Sequence, residues 1–314
     1  TGLSGGGTSG DVTLNSDLLA KQGGTNFTNS LLVGTSSTGT LNAAQKNVGV
    51  GTTVFAALTS GDNNTAVGFD SLKANTTGSS NTGMGNNALG ANTTGASNVG
   101  IGSGALDANT EGDANTAVGA SAYTTGTTGD QNTAIGRSSL QNNTTGSSNT
   151  SIGKDSLLSN TTGVGNTSVG MGTLYSNTTA SYNTAIGSLA LDTNTTGASN
   201  TAVGYDALTA NSSGAGNVAI GVNSLDANTT ASNNTAVGLN SLTTNTTGAD
   251  NTAVGRTSME ANTTGSNNVA IGLDSLALNT TASNNIAVGY ASLAANTTGC
   301  SNTAVGRSSL NANT

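Results

Sequence analysis

The chain has 314 residues, with seven Lys or Arg, fifteen Asp or Glu, a formal net charge of −8 and no His or Pro. Such a sequence offers no basic surface for phosphates, so nucleic acid is not an expected partner. No apolar run reaches the roughly 18 residues of a membrane span, and we expect no such span in this segment. The single cysteine, Cys300, excludes a disulfide framework and a thiolate metal cluster.

The first 46 residues differ from the rest of the chain. Residues 1–29 contain two glycine runs, and Leu31-Leu32-Val33-Gly34 looks like one degenerate copy of the later pattern. The open end of a repeat stack exposes its core and an unpaired strand edge. We therefore predict that residues 1–46 form an N-terminal cap or attachment segment.

Residues 47–314 form a 17-residue repeat close to N-T-A-V-G-x-x-S-L-x-A-N-T-T-G-x-x, without insertion or deletion. We number the positions of each copy 1 to 17 from the opening Asn. A fixed period this short is typical of a solenoid, in which each copy is one coil stacked on the next. The sequence predicts one array of about sixteen coils.

Each coil reads as β-structure. Alternation in T-A-V-G predicts a short strand, and runs rich in Gly, Thr and Asn are poor helix formers. We expect a second strand through positions 7 to 10 and a turn at N-T-T-G, where Gly at position 15 suits a positive φ. Successive coils should pair as parallel strands, with stacked Asn amides at positions 1 and 12. The predicted fold is an all-β parallel β-solenoid.

Alternation divides the strand into two faces. We place positions 2, 4 and 9 inside the coil. The predicted core residues are Val67, Leu72, Ile101, Leu106, Val203, Leu208, Val254 and Leu276. The small residues at position 3 then face outward, where they let another chain approach closely. The predicted chain-packing residues are Ala117, Ala134, Ala185, Ala236 and Ala253. Because a single roll has so thin a core, we expect lateral association with other copies.

The motif N-T-A-V-G-x-x-S-L-x-A-N-T-T-G resembles the head repeats of YadA-type trimeric adhesins and, more closely, repeat arrays of phage tail fibres. The stretches Leu31 to Gly34, Thr38 to Leu41, Asn47 to Gly51 and Leu58 to Asn63 resemble the region leading into such phage arrays. The resemblance covers nearly the whole chain. It implies a left-handed β-roll, a homotrimeric fibre, a role in host attachment or in a fibre shaft, and an extracellular location on a virion tail fibre or a cell surface. A host-surface or glycan receptor would be the partner.

We expect no catalytic, cofactor or metal site. Carboxylates are scattered over variable positions, and general acid–base catalysis needs positioned groups in a cleft. Calcium-binding repeats would need Asp in every coil. Position 12 often opens an Asn-Thr-Thr or Asn-Ser-Ser triplet, which is a glycosylation acceptor pattern as well as turn and ladder material. The candidates are Asn75, Asn92, Asn143, Asn160, Asn211 and Asn296.

These observations favour two functions. The first is a structural fibre segment for attachment or adhesion, without catalysis. The alternative is an ice-binding solenoid, because Thr at positions 13 and 14 forms rows of hydroxyls, as at Thr93 and Thr94. Only one of these two rows is expected to face outward.

Overall fold

The computed structural model describes residues 19–22, 27–34 and 38–312. The chain divides into two compact units, one reaching Thr145 and the other starting at Gly146. All regular structure in the described residues is β-strand, and most strands contain three residues. The strands are β1 (Leu19–Gln22), β2 (Phe27–Thr28), β3 (Leu31–Val33), β4 (Ala44–Gln45), β5 (Val48–Val50), β6 (Thr65–Val67), β7 (Thr82–Met84), β8 (Val99–Ile101), β9 (Thr116–Val118), β10 (Thr133–Ile135), β11 (Thr150–Ile152), β12 (Thr167–Val169), β13 (Thr184–Ile186), β14 (Thr201–Val203), β15 (Val218–Ile220), β16 (Thr235–Val237), β17 (Thr252–Val254), β18 (Val269–Ile271), β19 (Ile286–Val288) and β20 (Thr303–Val305).

Strands stack in parallel and in the register of the repeat. In the first unit β3 and β5 to β10 pair in sequence order, and in the second unit β11 to β20 do so. Each residue pairs with the residue 17 places on, as Ala202 does with Ala219. The prediction of an all-β parallel solenoid with about sixteen 17-residue coils is confirmed.

The degenerate copy before Asn47 joins the same stack. Its strand β3 pairs in parallel with β5, and β1 pairs with β3 in antiparallel orientation. An antiparallel strand there covers a strand edge that would otherwise be open to further pairing. Residues 1–18, 23–26 and 35–37 of the predicted cap lie outside the described residues, so an attachment role for this segment stays a prediction.

The predicted assignment of the two strand faces was wrong. Position 3 faces inward and positions 2 and 4 face outward, so Ala117, Ala134, Ala185, Ala236 and Ala253 are fully buried inside their own coils. Of the predicted core, Leu72, Leu106, Leu208 and Leu276 are fully buried, as expected. Val67, Val203 and Val254 are only half-buried on the outward face, and Ile101 there is 38 % exposed.

The narrow interior explains this reversal. A Cβ added at Gly83, which occupies position 3, would lie 2.6 Å from Ser71 Oγ, 3.1 Å from the Ala88 carbonyl oxygen and 3.4 Å from Leu72 Cγ. Leu at position 9 therefore fills the space that an inward Val would need. Only Gly, Ala or Ser fits opposite it, and the larger aliphatic side chain turns outward.

The predicted second strand is replaced by turns. Non-glycine residues at positions 7 and 9 have left-handed backbone, with φ of 56° at Asp70 and 49° at Leu72. This conformation costs an ordinary residue roughly 1–2 kcal/mol. Burial of the Leu side chain, worth about 1.5–3 kcal/mol, offsets that cost. In the next coil the amide of Asn92 donates to the Leu89 carbonyl at 3.2 Å and closes the turn.

Glycine at position 5 is required by both conformation and space. Its φ lies between +121° and +142° in every coil, a range that side chains rarely adopt. A Cβ at Gly102 would lie 2.5 Å from the carbonyl oxygen of Gly119 in the following coil. By contrast, Gly at position 15 does not have positive φ, contrary to the sequence prediction. Ala180, Ala231 and Ala282 replace it in three coils.

Gly102→Ala should destabilise the first unit far more than Gly104→Ala in the same coil. Gly104 has φ of +67°, and no atom lies within 4 Å of an added Cβ. We expect a loss of about 1 kcal/mol for Gly104→Ala and of about 3 kcal/mol for Gly102→Ala. Urea unfolding followed by circular dichroism measures both. Equal losses would show that close stacking of coils at position 5 does not matter.

Candidate functional site

Two ladders of asparagine amides join the coils. At position 12, Asn211 Nδ2 donates to Asn194 Oδ1 of the preceding coil at 2.8 Å and to the Gly214 carbonyl at 3.0 Å. At position 1, Asn200 Nδ2 donates to that same carbonyl at 2.8 Å. Asn200 Oδ1 accepts a hydrogen bond from the backbone N–H of Asn217 at 2.9 Å. Both predicted amide stacks are therefore confirmed, and they lie inside the coil.

The ladder buries the candidate glycosylation sites. Asn75, Asn92, Asn143, Asn160, Asn211 and Asn296 are all fully buried. A glycan on Nδ2 would replace an amide hydrogen used inside the stack and would have no path to solvent. The interpretation of these residues as acceptors in the folded coil was wrong. Sequence alone left this open because the acceptor triplet and the ladder use the same residue types.

One coil replaces the position-12 amide with a phenol. Tyr123 stands where Leu is usual at position 9, and Gly126 stands in place of Asn. The Tyr123 hydroxyl donates to the Gly129 carbonyl at 3.3 Å and accepts from Asn132 Nδ2 at 3.1 Å. Burial raises the pKa of Tyr123 to about 12, so the phenol keeps its proton at neutral pH. In the preceding coil, Asn109 Oδ1 lacks the donor that an Asn at residue 126 would supply. This oxygen is buried without a hydrogen-bond partner in the described part of the chain.

The threonine rows are not equivalent. At position 13 the hydroxyl donates to a backbone carbonyl in the next coil, as Thr93 Oγ1 does to Thr110 O at 2.9 Å. At position 14 the side chain is exposed, as at Thr94. The hydroxyls of the position-13 row thus form hydrogen bonds between coils. Only the position-14 row faces solvent, and the sequence predicted one outward row.

Within each unit, the outward face of the strands is an uncharged stripe. Val, Ile or Met fills position 4 of every coil, Thr, Val or Ile fills position 2, and positions 1 to 5 carry no charge. In the second unit Ile186 and Ile220 each expose about two fifths of their surface. We call this surface, made of positions 2 and 4 of each coil, the strand face. An extended apolar stripe on a folded protein marks an interaction surface.

Charged and aromatic residues gather elsewhere, mainly at positions 6, 7 and 10. Lys73 Nζ lies 2.7 Å from Asp70 Oδ2. Hydrogen bonds from Lys73 and Thr53 hold the pKa of Asp70 below its usual value. Burial raises the pKa of Asp107, Asp192 and Asp226, all at position 10. We call the surface made of positions 6, 7 and 10 the variable face.

A groove on the variable face of the second unit is lined by residues of three consecutive coils. It has a volume of about 310 Å³. Its lining residues are Lys154, Asp155, Met171, Gly172, Tyr175, Leu189 and Asp192. Sequence reasoning missed this site. The only signal was Gly172 at position 7, where a side chain is usual.

Within residues 19–22, 27–34 and 38–312, no group of three His, Cys, Asp or Glu side chains is arranged to hold a metal ion. The same residues include no helix with the length and apolar character needed to cross a membrane. Comparison with models of known protein families and with curated proteins gave no match.

The Tyr123 and Gly126 replacements should be energetically coupled. Tyr123→Leu alone leaves a void and removes one of the two donors to the Gly129 carbonyl, since Asn115 Nδ2 still donates to it at 2.8 Å. We expect a cost of roughly 2–4 kcal/mol. Gly126→Asn alone places its Cβ against the Tyr123 ring. The double variant restores Leu and the amide ladder, and its stability should return to near the starting value.

A double-mutant cycle on the free energy of unfolding tests this coupling. We expect a coupling energy of about 2 kcal/mol or more. Additive losses would mean that the phenol does not take the place of the missing amide.

Proposed function

We propose that the chain is a structural fibre segment that assembles with copies of itself through the strand face and serves in attachment or adhesion. The observation that carries this proposal is the aliphatic row at position 4, which is unbroken over β11 to β20 and partly exposed throughout. The interface first assigned to the alanines of position 3 is therefore assigned to positions 2 and 4.

A second copy is the occupant best matched to this face. The row repeats once per coil, at the strand spacing of about 4.8 Å. A partner surface that fits every coil must have the same period, and another array of this chain has it. Covering one partly exposed Ile contributes on the order of 1 kcal/mol. The gain grows with each coil, whereas the rotational and translational cost of association is met once per chain.

The proposed number of copies is three, and it is supported by the resemblance to trimeric adhesins and phage fibres. A closed cyclic arrangement of parallel chains would give every chain the same interface. The same resemblance supports an extracellular setting, on a virion tail fibre or a cell surface. The polar and acidic remaining surface suits a solvent-exposed shaft.

Ice binding remains the second candidate, now on a different surface from the predicted one. Thr at position 2 and an aliphatic residue at position 4 lie side by side on the outward strand face, as Thr201 and Val203 do in β14. This regular array of hydroxyl and methyl groups favours ice binding more than position 13, whose hydroxyls bond to the next coil. The two functions make opposite demands, because ice binding needs the strand face free.

Val203→Glu together with Val237→Glu should dissociate the assembly without unfolding the coils. Both side chains point outward, and buried unpaired carboxylates at a chain interface are costly. Light scattering at micromolar concentration should give the mass of an oligomer before the change and of a monomer or weakened oligomer after it. Circular dichroism should be unchanged.

The control is Ser213→Glu together with Thr247→Glu, which adds the same charge to the same two coils at exposed position 14. Glu111 already occupies that position in another coil. This variant should keep the full oligomer. A folded monomer for the unmodified chain would overturn the fibre proposal. Thermal hysteresis lost in the Val203 and Val237 variant but kept in the control would support ice binding.

A further inference from the structure

The groove on the variable face arises from one missing side chain. Gly172 occupies position 7 between Asp155 in the coil before and Leu189 in the coil after. The amide of Gly172 donates to the Lys154 carbonyl at 3.1 Å, and the amide of Leu189 donates to the Met171 carbonyl at 3.1 Å. These coil-to-coil hydrogen bonds hold the backbone on both sides of Gly172. The gap left by the missing side chain is therefore a fixed feature of the stacked coils.

The groove offers apolar and polar groups side by side. Met171 is 53 % exposed and Tyr175 is 40 % exposed, although both are large apolar side chains. Lys154 Nζ lies 3.2 Å from Asp155 Oδ2 at one end. Asp192 lies at the other end, where its carboxylate has no hydrogen bond or ion pair to any described residue. Partial burial, together with the charge of Asp206, raises the pKa of that carboxyl.

We propose that this groove binds a neutral pyranose unit of a surface glycan. A sugar ring has an apolar face that packs on an exposed aromatic ring, and its hydroxyls both donate and accept hydrogen bonds. Tyr175 and Met171 supply the apolar surface, Asp192 supplies an acceptor and Lys154 a donor. The deciding observation is that a hydrogen-bond donor and carboxylate acceptors flank the apolar surface, as hydroxyls that both donate and accept require. An organic cation would use only the carboxylates of Asp192 and of Asp155, which is already paired with Lys154.

The corresponding glycine of the first unit shows why the site is specific. Gly104 also leaves position 7 without a side chain, but its coil has Ser103 at position 6 and Asp107 at position 10. No aromatic or Met side chain stands at either position of that coil. The missing side chain is therefore common to both coils, whereas the apolar surface is present only beside Gly172.

This inference rests on the proposed attachment role, to which it adds the ligand class. It is tested by saturation-transfer NMR of the full chain with glucose, galactose, mannose and N-acetylglucosamine, and with agmatine as the cationic probe. We expect at least one sugar to bind and agmatine not to bind. Gly172→Asn should fill the groove and weaken sugar binding about tenfold or more. Asn is native at position 7 in Asn87, Asn223 and Asn240, so the coil should fold.

Gly104→Asn is the matched control and should leave sugar binding unchanged. Tyr175→Thr should weaken it to a similar extent, while Tyr182→Thr, at an exposed tyrosine outside the groove, should not. Binding of agmatine alone, binding of no sugar, or equal binding by Gly172→Asn and the unmodified chain would each overturn the inference. Light scattering on the same samples separates the two proposals. An intact oligomer that binds no sugar would support the fibre proposal and contradict the sugar site. A monomer that binds sugar would support the sugar site and contradict the fibre proposal.

Discussion

The narrow interior of the 17-residue coil is the constraint on which the rest of the structure depends. Between the strand and the turn there is room for one Leu, two amides and two small residues, such as Ala202 and Ala207. The amides fit because stacked coils let each one bond to its neighbour, as Asn211 does to Asn194. A buried polar side chain that is fully hydrogen-bonded avoids the penalty for burying an unpaired amide. The coil thus uses Asn where wider folds use aliphatic residues.

The same narrowness directs the aliphatic residues of the strand outward. With Leu208 filling the interior, only a small residue such as Ala202 fits opposite it, and Val203 lies on the surface. Covering a face that carries an aliphatic side chain in every coil would remove apolar surface from water. The proposed self-association is thus linked to the inner packing, because the residues that cannot fit inside one chain form the surface that we propose a second copy covers.

The repeat made the coil length, the parallel register and the buried Leu at position 9 predictable. Three features were not. Alternation in T-A-V-G separates Ala202 from Val203 but does not say which faces inward, and the rule that larger apolar residues are buried gave the wrong answer. The left-handed backbone at Leu72 was also missed, because a non-glycine residue with positive φ is rare. The groove beside Gly172 depends on three coils at once, which no single copy of the repeat reveals.

The proposed assembly and the proposed ligand binding use different positions of the repeat. Positions 1 to 5, 9 and 12 hold the stack together and allow little change, as the close approach of Gly102 to the Gly119 carbonyl illustrates. Side chains at positions 6, 7 and 10 lie largely on the surface, so these positions accept Lys, Asp, Tyr or Met without disturbing the ladder. Under the two proposals, ligand specificity would change coil by coil without affecting assembly through the strand face. A groove confined to three coils is what such a division of positions permits.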